Sequence, residues 1–260
     1  MTSSVHGAAR GASDHPLLEK GARLGYAASG VLHLVLGWLA VQLAWGSSSG
    51  SADQTGALEQ LAENPMGAAL LWLVVVGFVL LGVWQAAEAV VTTETKDRVK
   101  AAAKAVGYLA LGAIAFRVAT GSGGGGGEEQ TTSLTAAVME NPVGRVAVGA
   151  LGLGILGVGV YHVVKGWQSK FLEDLRSHPP HGVEVAGRVG YVAKGVALGV
   201  VGVLFVVAAT QDDPETAGGM DAALHSLLDL PAGPVILTAV GLGIAAFGVY
   251  CFGRAKHAKV

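Results

Sequence analysis

Seven side chains that can carry charge, move a proton or hydrogen-bond stand inside otherwise apolar stretches of this chain: His33, Gln85, Glu88, Arg117, His162, Lys194 and Cys251. An ionised group at mid-bilayer costs at least about 2.5–3.5 kcal/mol, so such groups are functional candidates by default. Lys194 follows Tyr191 by three residues and lies at a depth similar to that of Glu88, so the spacing allows an ion pair between them. Alternatively, Lys194 snorkels to the nearer surface, about six residues or 9 Å of helix away. Gln85, His162 and Cys251 fall at one level if the apolar stretches are aligned, which suits either a polar ring around a pathway or hydrogen bonds between helices. His33 has no polar counterpart at the equivalent Ala115 and Leu198. It reads as packing or as a single site.

Other chemistry is missing from the pattern. There is no cysteine pair, His-x-x-x-His, Gly-x-Ser-x-Gly or phosphate loop, so no catalytic or metal-ligating set is read from the chain, no cofactor is named and an enzyme is not expected. His178 and His181 flank Pro179 and Pro180, as in a plain turn.

The elements that must position these groups are membrane spans. The chain has 260 residues, 52% hydrophobic and 14% charged, well below the roughly one quarter charged in a soluble domain. Six apolar stretches, near 24–45, 66–91, 101–120, 143–166, 185–209 and 232–252, reach the roughly 20 residues that cross a hydrocarbon core. No apolar h-region precedes the first of them, so a cleaved signal peptide is not expected. Alternate connections divide the charge. One set holds fourteen of the seventeen Lys and Arg residues, and the other holds none of them but eleven acids, including Asp53, Glu128 and Asp221. Basic loops stay on the cytoplasmic side, which predicts both termini inside. The same loops should attract anionic lipid and give no reason to invoke nucleic acid. A single cysteine excludes an intramolecular disulfide.

An internal repeat organises the chain. Gly25-Tyr26 with Gly30, Gly107-Tyr108 with Gly112, and Gly190-Tyr191 with Gly195 open the odd spans. Asn64-Pro65, Asn141-Pro142 and the divergent Leu230-Pro231 open the even ones. Counted from each proline, glycine recurs at +12 (Gly77, Gly154, Gly243) and +17 (Gly82, Gly159, Gly248), an aromatic at +19, the unlike Gln85, His162 and Cys251 at +20, and a charge at +23 (Glu88, Lys165, Arg254). Asn before Pro suits a helix N-cap and first turn. The glycines predict close helix packing, as small residues allow in lipid. Leu58 with Leu61, Leu134 with Val138 and Leu224 with Leu228 predict one to two helical turns on the acidic surface within each repeat. The tract Gly121 to Gly127 reads as a linker.

The boundaries are a tail at 1–16, repeats at 17–92, 93–170 and 171–256, and a tail at 257–260. Equal orientation of the repeats predicts an all-α, six-span bundle with a pseudo-threefold axis along the membrane normal. The recurring Arg/Ala-x-Gly-Tyr-x-x-x-Gly opening, the amphipathic segment, the Pro-x-Gly return and the glycine-rich second span resemble a bacterial membrane domain, domain of unknown function 1206, in three copies from about Leu17 to Lys256. The resemblance implies a fold of two-helix repeats in the bacterial cytoplasmic membrane and brings no activity. Two functional expectations remain. One is a solute or ion transport module with its pathway between repeats, and the other is an accessory subunit packing against lipid, a membrane-protein partner or a second copy of itself.

Overall fold

The computed structural model describes residues 16–46, 51–63, 65–122 and 127–258, with side chains from residue 19 onward. Asn64, the N-terminal tail before Pro16, most of the glycine tract and the last two residues lie outside them. Nine α-helices are found among the described residues: α1 (Pro16–Ala44), α2 (Gln54–Ala62), α3 (Pro65–Val91), α4 (Thr95–Ala119), α5 (Gly127–Met139), α6 (Pro142–Trp167), α7 (His181–Gln211), α8 (Gly219–Leu228) and α9 (Gly233–His257). Six of these, α1, α3, α4, α6, α7 and α9, are long and apolar enough to cross a membrane.

Local signals account for the helix starts. Asn141 takes an extended backbone before α6, and its side chain accepts a hydrogen bond from the Gly144 N–H at 2.9 Å. Ala232, which takes the N-cap of α9 one residue after Pro231, has no such side chain and sits at φ 61°, in the left-handed region. The surface helices are longer than the one to two turns expected, at 9, 13 and 10 residues for α2, α5 and α8. Leu58, Leu61 and Leu224 are buried as their spacing predicts, but Leu134 and Val138 of α5 are exposed, and Thr135 and Met139 take the buried side.

Spans pack most extensively between repeats: α9 with α1, α3 with α4, and α6 with α7. Each repeat thus joins the next in a cycle, which is the pseudo-threefold arrangement. Within repeats, α1 packs on α3 and α7 on α9, but α4 and α6 do not pack together. The second repeat is therefore splayed. The burial of the spans follows: 17% of the most apolar stretch of α6 and 22% of that of α4 are buried, against 61% for α1.

The glycines explain where spans close. A Cβ on Gly25 would stand 2.5 Å from the Gly77 carbonyl oxygen, and one on Gly190 would stand 2.5 Å from the Phe247 backbone nitrogen. These are the hairpin contacts of repeats one and three. In repeat two the equivalents Gly107 and Gly154 have nothing within 4 Å, so the packing expected at Gly154 is not made, because the partner span stands away. Between repeats, Gly30 meets Gly248 and Gly195 meets Gly159 through backbone, while Gly82 meets Leu109 and Gly112 meets Val79. Near the acidic end the reciprocal contacts Gly37 with Gly241 and Gly152 with Gly202 repeat the theme. The corresponding pair on α3 and α4 is Val75 and Ala119.

Candidate functional site

The polar groups of the membrane interior gather between the first and third repeats. His33 on α1 is buried, and its Nδ1 lies 2.7 Å from the Ser29 carbonyl oxygen one turn back. That contact fixes the ring and turns Nε2 toward α7, where the Lys194 Nζ stands 3.3 Å away. Lys194 Nζ also lies 4.6 Å from the centre of the Phe247 ring, a cation–π distance. The same Phe247 ring lies 4.8 Å from His33. Cys251 on α9 is buried, with its Sγ 3.8 Å from the Ser29 hydroxyl. Ser29, His33, Lys194 and Cys251 therefore form one connected polar group that draws on three spans.

This arrangement differs from the ion pair that spacing allowed. Lys194 meets His33, and Glu88 instead accepts from Thr92 one turn on at 3.4 Å. The depth of Glu88 was legible, but the azimuth of α3 relative to α7 was not. Of the layer Gln85, His162 and Cys251, the first and last are buried. His162 is half-buried, stacks on Tyr191 at 5.6 Å and lies 2.8 Å from the Val158 carbonyl oxygen through Nδ1. No hydrogen bond joins any two of the three. Arg117 stays exposed near the acidic end of α4.

Toward the basic end the repeat register builds a second layer that motif reading did not single out. The two basic +23 residues face the tyrosine of the following repeat. The Arg254 guanidinium lies 4.3 Å from the Tyr26 ring and Lys165 Nζ 5.4 Å from the Tyr191 ring. Glu88 cannot make the equivalent contact to an electron-rich face, and Tyr108 stacks on Phe78 at 6.0 Å instead. Arg254 lies within electrostatic reach of Tyr26, Tyr108, Tyr191 and Tyr250, so all three repeat-defining tyrosines converge on it. Its Nε is buried without a hydrogen-bond partner. Lys165 is held by Asp174 at 2.7 Å. The sequence signal was the recurrence of charge at +23 together with the Gly-Tyr pair.

The acidic end is closed. Leu32, Leu36, Val74, Phe78, Val240 and Ile244 belong to one buried apolar cluster that continues into Leu58, Leu61, Leu224 and Leu227 of the surface helices. Above it the three surface segments each bring a carboxylate. Asp221 of α8 is buried and accepts from the Ala52 N–H, tying repeat three to repeat one, while His225 contacts its other oxygen at 3.2 Å. Asp53 caps α2 through the Gly56 N–H at 2.8 Å. Burial pushes its carboxyl above the usual carboxylate range, against the Gly56 bond and with help from the Asp221 charge. Glu128 of α5 is also raised, first by desolvation and then by its hydrogen bond with Asp221. Shared protons let like-charged carboxyls sit together. No group of three or more His, Cys, Asp or Glu residues that could hold a metal ion occurs among the described residues.

The repeat unit seen in this geometry is also recognised as a family. The model of the Domain of Unknown Function (DUF1206) matches three times, at residues 24–92, 99–169 and 189–258. The chain belongs to the DUF1206 family. It is 29% identical over 248 residues to the uncharacterised protein YxxB of Bacillus subtilis (strain 168), covering 90% of this chain and 89% of that one. No solved structure matches. In DUF1206 terms, each match takes in one Gly-Tyr opening and one proline return, so the polar group forms where the first and third matches meet and the tyrosine layer takes one tyrosine from each match.

Proposed function

We propose that this protein is a non-catalytic transport module for a small solute, which enters from the basic face and is met by Lys194 and His33. One observation carries the reading: a lysine and a histidine in contact at 3.3 Å inside the membrane, with no carboxylate bonded to either among the described residues. A charge placed there without an acid partner is costly unless a ligand or proton uses it. The cluster presents cationic and neutral donors, which favours an anion. The apolar plug under α2 and α8 argues for alternating access over a standing channel, since water has no polar wall to follow through Leu36, Val74 and Phe78. The repeats themselves support the reading, because many transporters are built from repeats whose packing can rock around a fixed site. With basic loops inside, the solute site opens to the cytoplasm and both termini lie there, in the bacterial cytoplasmic membrane.

The test is flux of radiolabelled phosphate and of chloride into liposomes carrying the purified protein. For the carried anion, Lys194→Ala is expected to lower the rate by at least about tenfold, the equivalent of 1.4 kcal/mol. Flux no higher than in protein-free liposomes, for either anion, ends the reading. Equal flux in the variant removes Lys194 from it.

A further inference from the structure

The tyrosine layer holds a cation that the protein does not satisfy. Arg254 offers five N–H donors, yet among the described residues it makes no hydrogen bond, and its Nε is shut away without a partner. It lies against the face of Tyr26 at 4.3 Å. The acid in the neighbourhood, Asp174, is taken by Lys165. A half-buried guanidinium with its Nε shut away unpaired is costly, and a bidentate oxyanion is the group that fits the terminal nitrogens of its fork. Lys104 on α4 lies within electrostatic reach of the same guanidinium and is exposed.

The splayed second repeat opens beside this layer. Lys104 and Tyr108 stand on α4 and Lys165 on α6, on the two sides of the opening. Both walls are small and apolar. Ala103, Gly107 and Ala110 are exposed along α4, and Ala147, Leu151 and Gly154 along α6, at the spacing of one helix face. Toward the acidic end α6, with α5 and α7 rather than α4, encloses a cavity of about 330 Å³ lined by Leu134, Val138, Ala147, Leu151 and Phe205 among others, into which the face bearing Ala147 and Leu151 continues. A slot with apolar walls and cations at one end, open to the bilayer, matches an amphiphile that carries its negative charge at its head.

We propose that the opening between α4 and α6 takes an anionic phospholipid from the surrounding bilayer, its phosphate held by Arg254 within the tyrosine layer and by Lys104, its acyl chain lying between the splayed spans. The cations at the mouth select against a zwitterionic head, whose ammonium would face Lys104. The lipid completes the second repeat, filling the place that hairpin packing fills in the other two. This site does not rest on transport of a solute.

Protein purified in mild detergent is incubated with phosphatidylglycerol, phosphatidylcholine or inorganic phosphate, and retained ligand is counted by native mass spectrometry. Phosphatidylglycerol is expected to be retained in about tenfold preference to phosphatidylcholine. Arg254→Gln should lower that retention about tenfold, the usual scale for one charge-assisted contact. Gly154→Leu should lower it as well by filling the slot. Because Gly154 has open space beside it, that variant folds and decides the matter even where Arg254→Gln does not. Equal retention of the two lipids, unchanged phosphatidylglycerol retention in Gly154→Leu, or stabilisation by inorganic phosphate with no lipid retained would each overturn the proposal. Retention is read without flux, so failure of the transport reading leaves this result standing, and the reverse also holds.

Discussion

The second repeat and its neighbours carry the same motif and use it differently. In repeats one and three the glycine of Gly-Tyr and the +12 glycine bring two spans into backbone contact, while in repeat two Gly107 and Gly154 touch nothing within 4 Å. The cause lies outside the motif. Two glycine pairs draw α9 onto α1 and α6 onto α7 near the acidic end, whereas Val75 and Ala119 occupy those positions on α3 and α4. With side chains at that crossing, α4 packs on α3 less extensively than α6 packs on α7, and α4 and α6 do not pack together. A repeat in sequence fixes what a span can do, but its neighbours fix which contact is made. Dispersion falls steeply with distance, so one methyl at a glycine crossing decides between them.

That contrast can be broken most sharply at the Gly-Tyr glycines. Gly25→Val and Gly190→Val drive a side chain into backbone and should each cost about 3 kcal/mol, whereas Gly107→Val should stay within about 0.5 kcal/mol. Melting temperatures in detergent for the three variants check this, and an equal loss at Gly107 would mean that the second hairpin is closed. Next comes the acidic end, where Asp221 joins repeats one and three through Ala52. Asp221→Ala leaves that buried N–H unpaired and should cost about 1–3 kcal/mol. Hydrogen exchange at Ala52 reports it locally.

Smaller effects separate the helix starts. Asn141→Ala should lose about 1 kcal/mol with its cap. Ala232→Gly should gain up to about 1 kcal/mol, because the left-handed backbone at φ 61° suits glycine. The melting difference between these two gives opposite signs at the N-caps of two return spans. The smallest effect is on pH dependence. The Glu128 and Asp53 carboxyls are raised on folding, so the folded state holds their protons more tightly than the unfolded chain. Their burial therefore lowers stability progressively as pH rises from the ordinary carboxylate range through the raised values, and no further above them. Glu128→Gln should flatten that decline and raise the melting temperature near neutral pH, while leaving behaviour at acid pH unchanged.

Much of the fold was legible because lipid imposes length, and glycine and proline punctuate. Six spans, three repeats and their pseudo-threefold arrangement follow from hydropathy and from offsets counted off proline. The individual contacts were less legible. His33 reads from sequence as packing or as a single site because nothing repeats it, and the structure makes it the partner of Lys194. The spacing of Leu134 and Val138 predicts a surface helix, which forms, but both are exposed and line the cavity beside α6. The +23 charge was visible as a recurrence, but its meaning depended on which tyrosine it would meet.

The sequence by itself determined the class, the number of spans, the repeat and the division of charge, since each is set by transfer free energies that act on one segment at a time. Only the tertiary structure decided that Lys194 faces His33, that three tyrosines surround Arg254 and that the second repeat stands open. Those depend on the rotation and separation of whole helices, which are fixed by glycine contacts between spans up to two hundred residues apart, such as Gly37 with Gly241.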